Sequence, residues 1–472
     1  MRLSKIFLSV FYLLLVSFHS KLMAQERPPN IVYILIDDLG WKDLGCYGSE
    51  FYETPNIDKL RTQGMKFTAA YSASPVCSPS RASILTGKNP ANIGFTGHIT
   101  AIGKHRYPEE GRIIPPDDYM HVSLEENMIP EILLQSGYTS ASIGKWHVGE
   151  EEQYFPTHQG FAINIAGYEH GSPPTYWGPF ESEKSWNPVI KNLNNREEGQ
   201  YLTNRLTDEA INFIGENKEG PFFLYLSHYA VHTPLEAPDS LVNKYELKLE
   251  GQKEQKNAIY AAMIENMDWN VGRLLKSLDS LGLEGNTIVI LGSDNGGEGR
   301  VTNNAPLREG KGYIYEGGIR VPLVIKWPGK VKPNSLSDVP VITDDMLPTI
   351  VEMAGLSNDN QDIDGVSLLP LLTGEGGWDR DMLCWYYPHY SPQAKMPGYA
   401  IRMGDYKLVE YYDPPSVELF DLSKDIGETN DLSGVDVQKV EEMKASFKEW
   451  LMEFNPILHT DNPNYNPNYR SN

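Results

Sequence analysis

The chain has 472 residues, with 63 Asp or Glu against 41 Lys or Arg and a formal net charge of −22. That length suits two to four domains, or one large α/β domain with an appendage. A surface this acidic repels polyanions at long range and argues against nucleic acid as a partner. Three cysteines, Cys46, Cys77 and Cys384, are too few for a disulfide scaffold.

Arg2 and Lys5 precede an apolar run over residues 6–18, and Leu22-Met23-Ala24-Gln25 follows a short polar stretch. This pattern predicts a cleavable signal peptide, residues 1–24, cut after Ala24. A run of 13 residues falls short of the roughly 20 that span a bilayer. The expectation is export to a periplasm or out of the cell, without stable membrane insertion. Loss of Arg2, Lys5 and Lys21 takes the net charge to −25.

Residues 30–40, NIVYILIDDLG, form a continuous apolar run that ends in Asp37-Asp38. Such a run predicts a strand buried on both faces, as in a parallel sheet. Ligands gather beyond the carboxyl ends of such strands. Two adjacent carboxylates there call for solvation, a helix cap or a cation that prefers oxygen, such as Ca²⁺. Thr54-Pro55-Asn56 opens a short helix that closes at Gly64.

The stretch 74–87, SPVCSPSRASILTG, predicts a helix with Cys77 at or beside its N-terminus and Gly87 just past its end. Unpaired N–H groups and the helix dipole favour an anion at Cys77. Arg81, four residues on, shares its face. For a bare Cys-x-x-x-Arg, a buried cysteine with a surface arginine is the ordinary reading.

Residues 94–119 read as a polar loop carrying His98, Lys104, His105 and Arg106. A helix is expected from about Pro130 to Gly137, then a strand over 139–143. Lys145 and His147 follow that strand, two apart and on one side of extended chain. Residues 150–200 are rich in Gly, Pro, Trp, Tyr and Asn and read as long loops over a site. A helix over 201–218 leads to an apolar strand, 221–226, with His228 and His232 beyond its end. Residues 254–283 read as one long helical region whose stripe of Tyr260, Met263, Ile264 and Met267 is core. The strand at 287–291 runs into Gly-Ser-Asp294-Asn295-Gly-Gly, which repeats the arrangement at Asp37-Asp38. Lys311 lies in a glycine-rich loop, and a strand over 323–327 follows. Beyond a boundary near 366–380, residues 382–387, 399–403 and 406–411 predict short antiparallel strands, with a final helix over 435–454. The tail at 462–469, NPNYNPNY, is too polar to pack by itself.

Five separated stretches, IDDLG, CSPSRASILTG, GKWHVG, SHYAVHTP and SDNG…GKGYIYEGGIRVP, resemble in sequence and order the motifs of the type I sulfatases. DGVSLLPLL and ELFDLSKDIGETNDL are similar to that family as well, so the likeness spans residues 29–456. The resemblance implies an alkaline-phosphatase-like α/β fold with a mixed central sheet flanked by helices. It also implies a smaller C-terminal α+β subdomain on a short antiparallel sheet. The expected limits are 25–375 for the catalytic domain, 376–456 for the subdomain and 457–472 for the polar tail. The resemblance implies one Ca²⁺ on Asp37, Asp38, Asp294 and Asn295, with the residue made from Cys77 as a further ligand. It implies that a formylglycine-generating or sulfatase-maturating enzyme converts Cys77 to formylglycine (3-oxoalanine). Arg81, Lys145, His147, His232 and Lys311 would then surround the sulfate.

Aromatic-rich loops with Tyr168, Tyr176, Trp177 and Trp186 suit a sugar substrate, because aromatic faces stack on pyranose rings. The expected substrate is therefore a sulfated polysaccharide or its oligosaccharides. His98, His105, His228 and Arg402 are candidate substrate contacts. The alternatives are a phosphoester or phosphonate-ester hydrolase of the same superfamily, or a silent member that binds sulfated glycan. The silent form is expected to lack the cysteine or a metal ligand, and this chain has them all.

Overall fold

The computed structural model describes residues 27–99, 107–251, 253–359 and 361–468. The leader at 1–24 and the candidate His105 lie outside them. The central sheet has nine strands. Across the sheet they run Val341–Ile342, Met65–Tyr71, Arg320–Lys326, Thr287–Ser293, Asn30–Ile36, Phe222–Ser227, Thr139–Gly144 and Ile163–Ile165, and Ser335–Ser337 also pairs with Met65–Tyr71. The apolar run at Asn30–Ile36 is the middle of this sheet, parallel to Phe222–Ser227 on one side and Thr287–Ser293 on the other. Side chains alternate between faces along a strand, and all seven of its residues are buried, so both faces are covered.

Arg320–Lys326 is the one antiparallel member, pairing in reverse with both Met65–Tyr71 and Thr287–Ser293. Its start therefore lies at the edge where the other strands end. The loop that carries Lys311 feeds into that edge, and so do the chain ends after Ile36, Tyr71, Gly144, Ser227 and Ser293.

Several elements depart from the sequence reading. The long helix spans Ala258–Ser280, with the Asn257 side chain accepting from the Tyr260 N–H at 3.0 Å as its cap. A separate helix, Asp239–Leu249, precedes it; it buries only Tyr245 and so carries almost no apolar stripe to read. The strand Met65–Tyr71 was not anticipated either. Its alternation holds only over the first four residues before it turns wholly buried.

The C-terminal sheet has four strands, Met382–Tyr387, Gly398–Met403, Tyr406–Tyr412 and Pro415–Asp421, all antiparallel. Cys384 and Tyr386 face the helix Val437–Glu453 through Val440, Met443 and Phe447. Leu383, Trp385 and Tyr387 face the larger domain and meet Tyr71, Val76 and Ile319. This is the period of two expected of a strand covered on both sides. The three cysteines are all free thiols.

The helix Cys77–Thr86 is buried along its whole length and ends at Gly87 in the left-handed conformation, φ 67°. Ser83 anchors it from behind by donating to Asp344. Burial, aided by Asp364 and Asp345, pushes the Asp344 carboxyl up to about 7. A raised carboxyl binds its proton more tightly in the folded state, so its stabilising effect is present below the usual carboxylate range and is lost as pH rises towards 7. Asp344→Asn should therefore gain stability relative to the wild type between pH 5 and pH 8, by about 2–3 kcal/mol. Denaturant midpoints at the two pH values measure this; a stability difference that does not change with pH contradicts it.

Candidate active site

The site is assembled from chain ends at one edge of the sheet. Asp37 and Asp38 follow the central strand, Asp294 and Asn295 follow its neighbour, and all four are buried. Cys77 opens its helix after Val76, whose backbone is extended, and no side chain caps the first turn. The N–H groups of that turn therefore favour negative charge at the tip of residue 77.

Three carboxylates here interlock with three cations. Arg81, fully buried, donates through Nε to Asp294 Oδ2 at 2.7 Å, and its Nη1 reaches the Lys145 carbonyl and the Ser227 hydroxyl. Lys145 Nζ bonds Asp37 Oδ2 at 2.7 Å. Lys311 Nζ bonds Asp38 at 2.8 Å, and the Asn295 amide donates to the same carboxylate at 2.8 Å. The ordinary sequence reading of Arg81 as a surface residue is thus corrected: this side chain ties three strand ends together.

His147 stands over residue 77, with Nδ1 3.5 Å from Cys77 Sγ and 3.2 Å from Ser78 Oγ. Nε2 faces the Ile99 carbonyl at 3.2 Å, which can only accept, so Nε2 carries the hydrogen and Nδ1 offers a lone pair towards residue 77. Burial, with Lys145 and His98 adding, lowers its pKa to about 3, so the ring is neutral. His98 packs edge-on against it, centroids 5.0 Å apart. Asp38 and His147 both adopt left-handed backbone, φ 58° and 61°, a conformation uncommon outside glycine and concentrated at working sites.

His232 hydrogen-bonds the Thr233 carbonyl through Nδ1 at 2.7 Å and turns Nε2 towards Asp38 Oδ2 at 3.6 Å. Burial and then Lys311 lower it to about 4. Lys311 moves the other way: burial opposes its charge, but Asp38 and Cys77 outweigh this and hold the ammonium on. Burial raises the Cys77 thiol, yet Lys145, Lys311, His147 and His98 together bring it well below the ordinary thiol range. The tip of residue 77 is therefore a place where the fold favours negative charge.

The donor set fits a hard divalent cation. Asp37 Oδ1 and Asn295 Oδ1 are buried oxygens without a hydrogen bond. A carboxylate oxygen from each of Asp37 and Asp294 lies with Cys77 Sγ in a group no wider than 4.8 Å. Burial, then Asp294 and Asp38, push the Asp37 carboxyl well above the usual range despite Lys145 and Arg81. Carboxylate and amide oxygens are what Ca²⁺ prefers.

Two candidate contacts fall elsewhere. His228 is buried in the fold behind the strand end, with neither ring nitrogen hydrogen-bonded to another described residue. Arg402 is buried at the domain junction, where it donates to the Tyr71 hydroxyl and the Gly404 carbonyl. Among the described residues, neither side chain hydrogen-bonds a member of the site.

Three neighbours were not singled out from sequence. Ser78 bonds His147, although it lies inside the cysteine motif. Tyr387, from the C-terminal sheet, is buried within electrostatic reach of Cys77 and Lys311. Gly171 lies against the His147 ring so closely that a Cβ there would sit 2.4 Å from Cε1. No local signal marks Gly171, since its reason is a contact with a residue 24 positions away. Gly171→Ala should push the ring off residue 77 and lower kcat by about 10²-fold with Tm little changed. Unchanged kcat in that variant would show that the contact does not position His147.

The model of the sulfatase family matches residues 29–356, and that of the N-sulphoglucosamine sulphohydrolase C-terminal region matches residues 310–456. A sulfatase of Formosa agariphila is 33% identical over 94% of this chain and 92% of its own. The N-acetylgalactosamine-6-sulfatase of Mus musculus is 33% identical over 88% of this chain and 78% of its own. The crystal structure of Ps i-CgsB in complex with k-i-k-neocarrahexaose superposes with a TM-score of 0.74 at 30% identity, over 90% of this chain and 93% of that one. A family match over most of the chain, on a sheet whose edge gathers Cys77, three carboxylates and three buried cations, leads to one conclusion: the chain belongs to the sulfatase family and is a sulfuric ester hydrolase.

Proposed function

We propose that the protein is an exported enzyme that removes sulfate from the sugars of a sulfated polysaccharide or its oligosaccharides. It works with formylglycine at position 77 and one calcium ion. The observation that carries this reading is the ring of Arg81, Lys145, His147 and Lys311 around the tip of residue 77, inside a protein of net charge −22. The relative solved with a neocarrahexaose supports the sugar, and the leader sequence supports export to the periplasm or beyond.

Asp37, Asp38, Asp294 and Asn295 would hold the calcium, which supplies positive charge beside the sulfate oxygens. Three carboxylates already balance Arg81, Lys145 and Lys311, so a divalent ion leaves the pocket net positive for an anionic ester. Formylglycine at position 77, as its hydrate, would supply the oxygen nucleophile towards sulfur and a second hydroxyl for the release of sulfate. The chain's own groups do the rest. Arg81 fixes Asp294 and braces the strand ends. His147, neutral with Nδ1 towards residue 77, takes the proton of the releasing hydroxyl. Lys145 and Lys311 oppose the charge that grows on the leaving oxygen as the S–O bond breaks.

The leaving sugar oxygen needs a proton. From sequence alone, His232 is the donor expected for that step. Its neutral state favours Lys311, which keeps its proton at neutral pH, with His232 beside it at Asp38.

Protein whose Cys77 has been checked by peptide mass should release inorganic sulfate from sulfated oligosaccharides and leave the matching phosphate esters intact. Cys77→Ala should lose all activity. Phosphate release at a comparable rate would overturn the reading. Lys311→Met should lose about 10²–10⁴ in rate on a sugar sulfate and far less on an aryl sulfate, whose phenolate leaves without a proton. Equal losses on both substrates would remove Lys311 from proton delivery.

A further inference from the structure

We propose that Trp186 forms a second sugar-binding subsite beside the catalytic pocket, so that the enzyme engages a sugar next to the one that loses sulfate. This rests on the reading of the protein as a carbohydrate sulfatase. Of the four aromatics that the sequence offers for stacking, Tyr168 and Tyr176 are wholly buried. Trp177 is half-buried against Tyr201, centroids 5.0 Å apart. Trp186 is different: 56% of its surface is open to solvent.

Exposure of one tryptophan says little by itself. Trp269 is nearly as open, and it sits on the exposed side of the helix Ala258–Ser280 under the guanidinium of Arg273. What separates Trp186 is how it is held. It lies at the tip of a hairpin closed by the Glu181–Val189 bridge and by the Ser182 N–H on the Pro188 carbonyl, 2.9 Å. The next residue, Asn187, is completely buried, and its amide donates to the Tyr168 hydroxyl at 2.6 Å and to the Ser172 carbonyl at 2.7 Å.

The segment 168–172 that Asn187 grips is the one that touches the catalytic histidine. The Tyr168 carbonyl accepts from the His147 N–H at 3.2 Å, and Gly171 lies on the His147 ring. One five-residue segment thus contacts His147 and fixes the tip carrying Trp186. Between them His170 meets the indole edge-to-face, centroids 4.6 Å apart at 88°. Glu169 and Lys191 pair next to it. An open indole on a fixed backbone, edged by an imidazole, a carboxylate and an ammonium, offers a flat face for a pyranose and polar groups for its hydroxyls. A rigid aromatic with two side-chain torsions binds at small entropic cost. An indole left this open forgoes much of the burial that aromatics ordinarily gain.

The test compares the wild type, Trp186→Ala and Trp186→Phe on a sulfated monosaccharide and on a tetrasaccharide ending in that same sulfated sugar. The sugar is the one that the wild type desulfates fastest among galactan and glycosaminoglycan fragments. For Trp186→Ala, KM on the tetrasaccharide should rise about tenfold with kcat nearly unchanged, while kcat/KM on the monosaccharide stays within about twofold. Trp186→Phe should recover most of the loss. An unchanged KM on the tetrasaccharide, or equal losses on both substrates, would overturn the subsite. If the wild type releases no sulfate from any fragment, the reading as a carbohydrate sulfatase fails and the subsite falls with it.

Discussion

Three carboxylates and three cations buried at one edge of a mixed sheet set the terms for the rest of the structure. Each charge alone would cost several kcal/mol to bury, and removing one partner strands the other. Arg81, Lys145 and Lys311 come from a helix, a strand end and a loop far apart in the chain, and each is bonded to an aspartate from yet another strand end. The electrostatic match therefore fixes how the strand ends meet. It also explains why Asp38 and His147 tolerate left-handed backbone: the surrounding bonds over-determine their positions.

The junction with the C-terminal sheet repeats this logic at a distance from the chemistry. Lys407, fully buried, bonds Glu316 at 2.9 Å and Glu428 at 2.8 Å. One cation serves two carboxylates. Burial works against Glu316, but Lys407, Arg320 and Arg402 hold it down to about 2. Burial first, and Glu316 after it, push Glu428 up to about 7. Arg402 belongs to this cluster and to Tyr71. The junction also brings Tyr387 to the wall of the site, and the Gly312 N–H meets the Pro75 carbonyl at 2.9 Å.

Much of this is legible in the sequence because the signals are local. An apolar run followed by aspartates, as at 30–40 and 287–295, states both the buried strand and the polar group at its end. Cys77, Pro79, Arg81 and Gly87 declare a helix and its limits within a dozen residues. What could not be read is set by distance along the chain. Gly171 is explained only by His147 and Tyr387 only by the approach of a second sheet, while Trp186 is visible in the sequence but the grip of Asn187 on Tyr168 and Ser172 that holds it is not. His228 looks like a site histidine because it follows a strand, but sequence does not tell which way the chain turns after Ser227. The reverse direction of Arg320–Lys326 is likewise a matter of pairing, and composition carries no trace of it.

The account rests on Asp37, Asp38, Asp294 and Asn295 holding a divalent cation, and calcium binding tests that most directly. Thermal unfolding of the full-length protein should be followed in excess chelator and again with added Ca²⁺, for the wild type and for Asp294→Ala. The account predicts that Ca²⁺ raises the Tm of the wild type, because a ligand bound only to the folded state stabilises it by mass action, and that Asp294→Ala abolishes the rise. A wild-type Tm that is the same with chelator and with Ca²⁺ would contradict it.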